Sequence, residues 1–153
     1  MTTVEERLRE AIQGEVESYE LYMSAVDLVQ ADHVKSTLRD LAQEELGHKA
    51  VLEKMLENPE QMREEVERLK ASSIQDYRIG DHLVVAPLGP NSTFQDVCIF
   101  ASRKEQGSYE LYMGMAELST GEVRDLLEAM AKDELRHKNL VEGWYEEVVY
   151  QEF

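Results

Sequence analysis

The sequence predicts an all-α protein, a four-helix bundle of two antiparallel helix hairpins joined by a long crossover. Three observations predict it. The composition is that of one globular domain: 153 residues, 42% hydrophobic and 31% charged, with 3 Pro and 8 Gly, too few for a disordered or turn-rich all-β chain. Apolar residues recur at three- and four-residue steps through four long stretches. The chain also repeats itself. The run SYELYM of Ser18–Met23 returns 90 positions later at Ser108–Met113, each copy preceded by a glutamate, Glu15 and Glu105. Glu45 and His48 return as Glu134 and His137 at an offset of 89, so the repeated unit is a helix pair.

In the first expected helix, Thr3 to Gln30, Leu8, Ile12, Tyr19, Tyr22, Val26 and Val29 define one apolar face. Thr2 with Glu5 offers a capping box. At ~1.5 Å per residue this helix would be 42 Å long, a length suited to a bundle. A turn at 30–32 leads to a second helix, capped by Asp32, with Leu38, Leu41, Leu52 and Met55 inward and a stop at Asn58-Pro59. The crossover, 58–91, contains a short charged helix from Pro59 to Leu69 and then Gly80, Pro87, Gly89 and Pro90, which break helical periodicity. Ser92 with Gln95 caps a third helix carrying Phe94, Ala101, Tyr109 and Tyr112. A Ser119–Gly121 turn opens a fourth, with Val123, Met130, Val141 and Trp144 inward. The expected hairpins are thus 3–57 and 92–150 of a single domain, 1–153. Two short-turn hairpins joined by a crossover that can run the bundle's length fix the topology.

Folding each hairpin at its turn places the polar residues at one height. Glu15 and Glu45 are centred on position 30, Glu15 and His48 on 31.5; Glu105 and Glu134 on 119.5, Glu105 and His137 on 121. Each also lies on an apolar face: Glu15 is seven residues from Leu8 and from Tyr22, Glu45 seven from Leu38 and Leu52, and Glu105 seven from Cys98 and Tyr112. Four carboxylates and two imidazoles, Glu15, Glu45, His48, Glu105, Glu134 and His137, therefore converge inside the bundle. Unpaired buried carboxylates cost several kcal/mol each or take up protons. Two divalent cations would balance four carboxylates, with neutral imidazoles completing the coordination. Carboxylate-rich ligation favours iron, with manganese or zinc as alternatives, and the single Cys98 removes thiolate ligation and any intramolecular disulfide.

A Glu from each of two helices plus Glu-x-x-His from each of two others is the ligand set of ferritin-like di-metal carboxylate proteins. Glu15 with Tyr22, LAQEELGH ending at His48, Glu105 with Tyr112, and MAKDELRH ending at His137 resemble the rubrerythrin-like branch of that superfamily, over nearly the whole chain except the crossover. The resemblance implies a ferritin-like fold, a homodimer, and a di-iron centre that reacts in its reduced form with peroxide or dioxygen, with Glu45 or Glu134 bridging and the other ligands terminal. Rubrerythrins append a four-Cys rubredoxin domain, which this one-Cys chain does not carry, so the resemblance implies an external electron donor. They also place a further Glu three residues after the third-helix ligand, where this chain has Ser108; rubrerythrin-type peroxidase activity is not carried over with the rest. The same six ligands resemble the ferroxidase centre of bacterioferritins.

Other residues are assigned by position. Tyr22 and Tyr112, two turns beyond Glu15 and Glu105, can hydrogen-bond a ligating carboxylate on a facing helix. Tyr19, Tyr109 and Trp144 are read as core, and Cys98 as a small hydrophobe. His33 and His82 read as surface histidines, and Glu17, Glu20, Glu44, Glu110 and Asp133 as solvated neighbours of the ligands. A net charge of −16 excludes a nucleic-acid partner, and the absence of a signal segment or membrane-length apolar run predicts a cytoplasmic protein without membrane contact. Three functions fit: a di-iron oxidoreductase acting on peroxide, dioxygen or ferrous iron; a non-catalytic metal-binding or iron-storage bundle; and a helical interaction protein whose site stays empty.

Overall fold

A computed structural model describes residues 4–58 and 88–151. Four helices run through them: α1 Val4–Ala25, α2 Asp32–Glu57, α3 Phe94–Glu117 and α4 Gly121–Gln151, with a 3₁₀ turn, Val26–Leu28, between α1 and α2. The protein is a ferritin-like helical bundle. The expected short helix from Pro59 to Leu69, the Thr2 cap and His82 lie outside the described residues. No helix among the described residues is long and apolar enough to cross a membrane.

The helix ends depart from expectation in three places. The first helix stops at Ala25 instead of Gln30: the chain tightens into the 3₁₀ turn and Val29 is extended (φ −119°, ψ 154°), which keeps both Val26 and Val29 in the core. Asp32 is not the cap of α2. Ala31 holds that position without a side-chain hydrogen bond, and Asp32 lies in the first turn, where its charge faces the positive end of the helix dipole. The capping box of α3 is Thr93 with Asp96, one residue later than Ser92 with Gln95. Thr93 Oγ1 accepts from the Asp96 amide and Asp96 Oδ2 from the Thr93 amide, while Ser92 Oγ is taken by the Gly89 amide in the preceding turn. The second hairpin turns where expected. Gly121 has φ +64°, a conformation open to glycine at no steric cost, and Ser119 Oγ donates to the Met115 carbonyl.

The core divides into two apolar clusters at opposite ends of the bundle. One joins Leu8 and Ala11 of α1 to Leu52 and Met55 of α2, Leu111 and Met115 of α3, and Leu127 and Met130 of α4. The other joins Leu21, Ala25 and Val26 to Val34, Leu38 and Leu41, Val97 and Ala101, and Val141. Phe94 and Trp144 stack obliquely beside it, with ring centroids 6.1 Å apart. Neighbouring helices within each hairpin are antiparallel, as are α1 and α3. α2 ends at the first cluster and α3 begins at the second, so the crossover connects opposite ends of the bundle. Between the clusters lies a layer of buried polar side chains.

Candidate metal centre

That layer is built from the six side chains singled out in the sequence. Glu15, Glu45, His48, Glu105, Glu134 and His137 are all buried, and Glu45, Glu134 and His137 have no exposed surface. Each comes from the middle of its helix, where the 3.6-residue period carries the apolar face past one polar position in each of α1 and α3 and two, a turn apart, in each of α2 and α4.

The geometry divides the six into two overlapping groups whose ligand-capable atoms lie within 4.8 Å of one another: Glu15, Glu45, His48 and Glu134, and Glu45, Glu105, Glu134 and His137. Glu45 and Glu134 belong to both. His48 Nδ1 lies 2.7 Å from Glu134 Oε1, 3.6 Å from Glu15 Oε1 and 3.7 Å from Glu45 Oε1. His137 Nδ1 lies 3.0 Å from Glu45 Oε1, 3.7 Å from Glu105 Oε1 and 4.0 Å from Glu134 Oε2. The two imidazoles are near-parallel, 18° apart, with centroids 6.2 Å apart.

Many of these polar atoms have nothing to bond. Glu15 Oε2, both oxygens of Glu45, Glu105 Oε2, Glu134 Oε2 and His137 Nδ1 are buried without a hydrogen-bond partner; the 3.0 Å approach of His137 to Glu45 lacks hydrogen-bond geometry. Each buried orphan costs on the order of 1–3 kcal/mol, and more if charged. Lone pairs aimed at a common centre and left unsatisfied are what hard or borderline divalent cations require, so the donor set is compatible with a di-metal site.

Electrostatics describe how the cluster behaves on its own. Burial, then the charge of Glu105, pushes the Glu45 carboxyl up to about 8. Burial with Glu105 and Glu45 raises Glu134 well above the carboxylate range. Glu105 goes the other way: burial opposes its charge, but Glu134, His137 and Tyr22 hold it below the usual value. Burial also opposes both imidazolium ions, yet Glu15 and Asp133 hold His48 up at about 9, and Glu105 and Glu45 hold His137 up at about 10. At neutral pH, Glu45, His48 and His137 therefore each hold a proton when protons alone compensate the site, and burial favours the protonated form of Glu134 as well.

Residues 6–79 match the family model described as Rubrerythrin. Over that span the chain is similar to the rubrerythrin-like branch of the ferritin-like superfamily. A hypothetical protein from Pyrococcus furiosus has a similar solved structure, with a TM-score of 0.69 at 22% identity, covering 97% of this chain and 92% of that one, a likeness of fold. No curated protein matches with significance.

Around the cluster, the tyrosines sit as expected and are exchanged between halves. Tyr22 of α1 donates to Glu105 Oε1 of α3 at 2.5 Å, and Tyr112 of α3 donates to Glu15 Oε1 of α1. Burial, with Glu105 beside Tyr22 and Glu15 beside Tyr112, raises both phenols well above their ordinary value, so both remain proton donors. Cys98 is buried, with its thiol pushed up to about 12 by burial, and packs as a small hydrophobe. His33 is exposed. Tyr19, Tyr109 and Trp144 are half-buried against the core.

Asp133 and Glu44, expected to be merely solvated, face the two histidines. Asp133 Oδ2 lies 3.0 Å from His48 Nε2, and Glu44 Oε2 lies 3.1 Å from His137 Nε2, while the other oxygen of Glu44 accepts from Arg136. Each histidine thus turns Nε2 to an outer carboxylate of the opposite hairpin and Nδ1 to the cluster. An outer carboxylate that accepts the Nε2 proton fixes the tautomer whose Nδ1 lone pair is free for a cation. The signal was present in the repeat: an acid immediately precedes the Glu of both Glu-x-x-His motifs. Glu17 is likewise engaged, accepting from Lys104 Nζ at 2.8 Å, a contact that holds its carboxyl below the usual value.

Proposed function

We propose that the protein is a di-iron oxidoreductase in which Glu15, Glu45, His48, Glu105, Glu134 and His137 ligate two metal ions. The observation that carries this reading is the pair of overlapping donor groups, each of three carboxylates and one histidine, in which every carboxylate keeps at least one buried oxygen without a protein partner. Glu45 and Glu134, common to both groups, would serve both metal positions, and Glu15 with His48 and Glu105 with His137 one position each. Manganese or zinc would satisfy the same donors, but iron adds the electron transfer that suits a family built on this ligand set. When bound, reduced iron supplies electrons to peroxide or dioxygen and polarises the oxygen species being reduced.

The chain's own part is to hold, orient and exclude. Asp133 and Glu44 fix the two imidazoles through Nε2, and Tyr112 and Tyr22 fix Glu15 and Glu105 through one oxygen each, leaving the second oxygen of each carboxylate free. The two apolar clusters keep bulk water from the layer between them. A homodimer, a cytoplasmic location and an external electron donor belong to the same reading.

Anaerobic loading with ferrous iron followed by hydrogen peroxide or dioxygen tests the function. Two iron atoms per chain and rapid oxidation to a ferric spectrum are expected; tight zinc retention with no turnover of the ferrous form would instead identify a metal-storage or structural bundle. The outer carboxylates give a second expected result. Asp133→Ala weakens metal binding at the His48 half, and Glu44→Ala at the His137 half, each by ~10–100-fold. Competition with a chromophoric chelator reads this directly, and unchanged affinity in both variants would show that the two contacts do not set the imidazole tautomers.

A further inference from the structure

The repeat that makes the centre symmetric is broken immediately beside it. The residue preceding Glu105 is Lys104, which reaches across to Glu17 of α1; the residue preceding Glu15 is Gly14, which has no side chain to reach back. On the Gly14 side a cavity of about 230 Å³ opens between α1 and α3, lined among others by Glu10, Gly14 and Glu17 of α1 and Lys104, Ser108 and Tyr112 of α3. It runs from exposed Glu10 and Glu17 to Tyr112, the most deeply buried of its lining residues and the hydrogen-bond partner of Glu15.

We propose that this cavity is the route by which divalent cations reach the centre, arriving at its Glu15 end, and that Gly14 and Ser108 keep it open. The inference rests on the di-metal reading and adds to it an asymmetric approach to an otherwise pseudo-twofold site. Three features support it. A Cβ at Gly14 would meet nothing within 4 Å, so the glycine is not there to let helices approach; it leaves space. A glycine inside a helix costs about 0.5–1 kcal/mol relative to alanine, a cost that buried packing does not offset here. The wall is also net acidic: Lys104 balances Glu17 and leaves Glu10, so the passage favours cations over anions.

The test uses the metal-free full-length protein and cobalt(II) as probe, followed by stopped-flow visible absorption. Wild type is expected to take up two cobalt ions per chain. Gly14→Leu fills the passage and slows uptake by about tenfold or more with the final stoichiometry unchanged. Gly143→Leu, a control at an exposed helical glycine whose Cβ also meets nothing, leaves the rate as in wild type. If Gly14→Leu loses its helical circular dichroism, Gly14→Ala narrows the passage while favouring α1 and is expected to slow uptake by about twofold. Equal rates in wild type and the folded Gly14 variant would overturn the route and leave the di-metal reading standing. Failure of wild type to bind cobalt at all would overturn both.

Discussion

Loading the metal-free protein with two equivalents of zinc at pH 7 is expected to release about three protons or more per chain and to raise the melting temperature by on the order of 10 °C. The proton count follows from the site. Glu45 at about 8, His48 at about 9 and His137 at about 10 each hold a proton at pH 7, and each must surrender it to a cation; Glu134, raised in the same direction, adds to the release. All four values are raised above those of the unfolded chain. Their contribution to the metal-free fold is therefore fully present below the unfolded values, near 4.5 for the carboxyls and 6.5 for the imidazoles, and is lost as pH rises through 8 to 10. The metal-free protein should melt progressively lower from pH 6 to pH 10, whereas the zinc form, with the protons already displaced, should not. Titration in weakly buffered solution counts the protons, and calorimetry across pH reads the melting temperatures. Release of fewer than about one proton at pH 7 would mean that zinc binds elsewhere.

The second large effect is expected from Glu45→Gln combined with Glu134→Gln. These are the residues common to both donor groups, so their loss reaches both metal positions, whereas Glu15→Gln reaches only one. The double variant should lose both metals, with affinity falling by more than the ~10–100-fold expected for an outer carboxylate. Its metal-free fold should gain stability, most at pH 9, because two buried groups that resist ionisation are replaced by neutral amides of the same shape. Elemental analysis and thermal melts at pH 6 and pH 9 separate the outcomes. Retention of two metals per chain would place the site on other residues, and a destabilised metal-free fold would show that the carboxyls serve the core through contacts an amide cannot make.

The six central residues were legible because two independent regularities agreed on them. The repeat fixed which glutamates and histidines were equivalent, and the distance of each from its hairpin turn fixed their height. Tyr22 and Tyr112 followed from the same helical period. The outer carboxylates did not, although Glu44 and Asp133 occupy equivalent places in the repeat: a helical wheel drawn for one helix puts them off the inner face, and their partners lie on the other hairpin. The cap of α3 moved by one residue for a comparable reason. Ser92 and Thr93 are both competent caps, and the preceding turn at Gly89 engages the first.

The sequence by itself determined the bundle, the hairpin turns and the polar layer, because helical periodicity and duplication are written along the chain at short range. Tertiary structure alone decided which atoms face which: Nδ1 of each histidine inward and Nε2 outward, each tyrosine bonded to the other half's glutamate, Glu45 and Glu134 shared by both donor groups, and the passage open at Gly14 while Lys104 spans to Glu17. Such contacts depend on the rotation and spacing of helices about one another. Packing over the whole core sets these, and no local pattern encodes them.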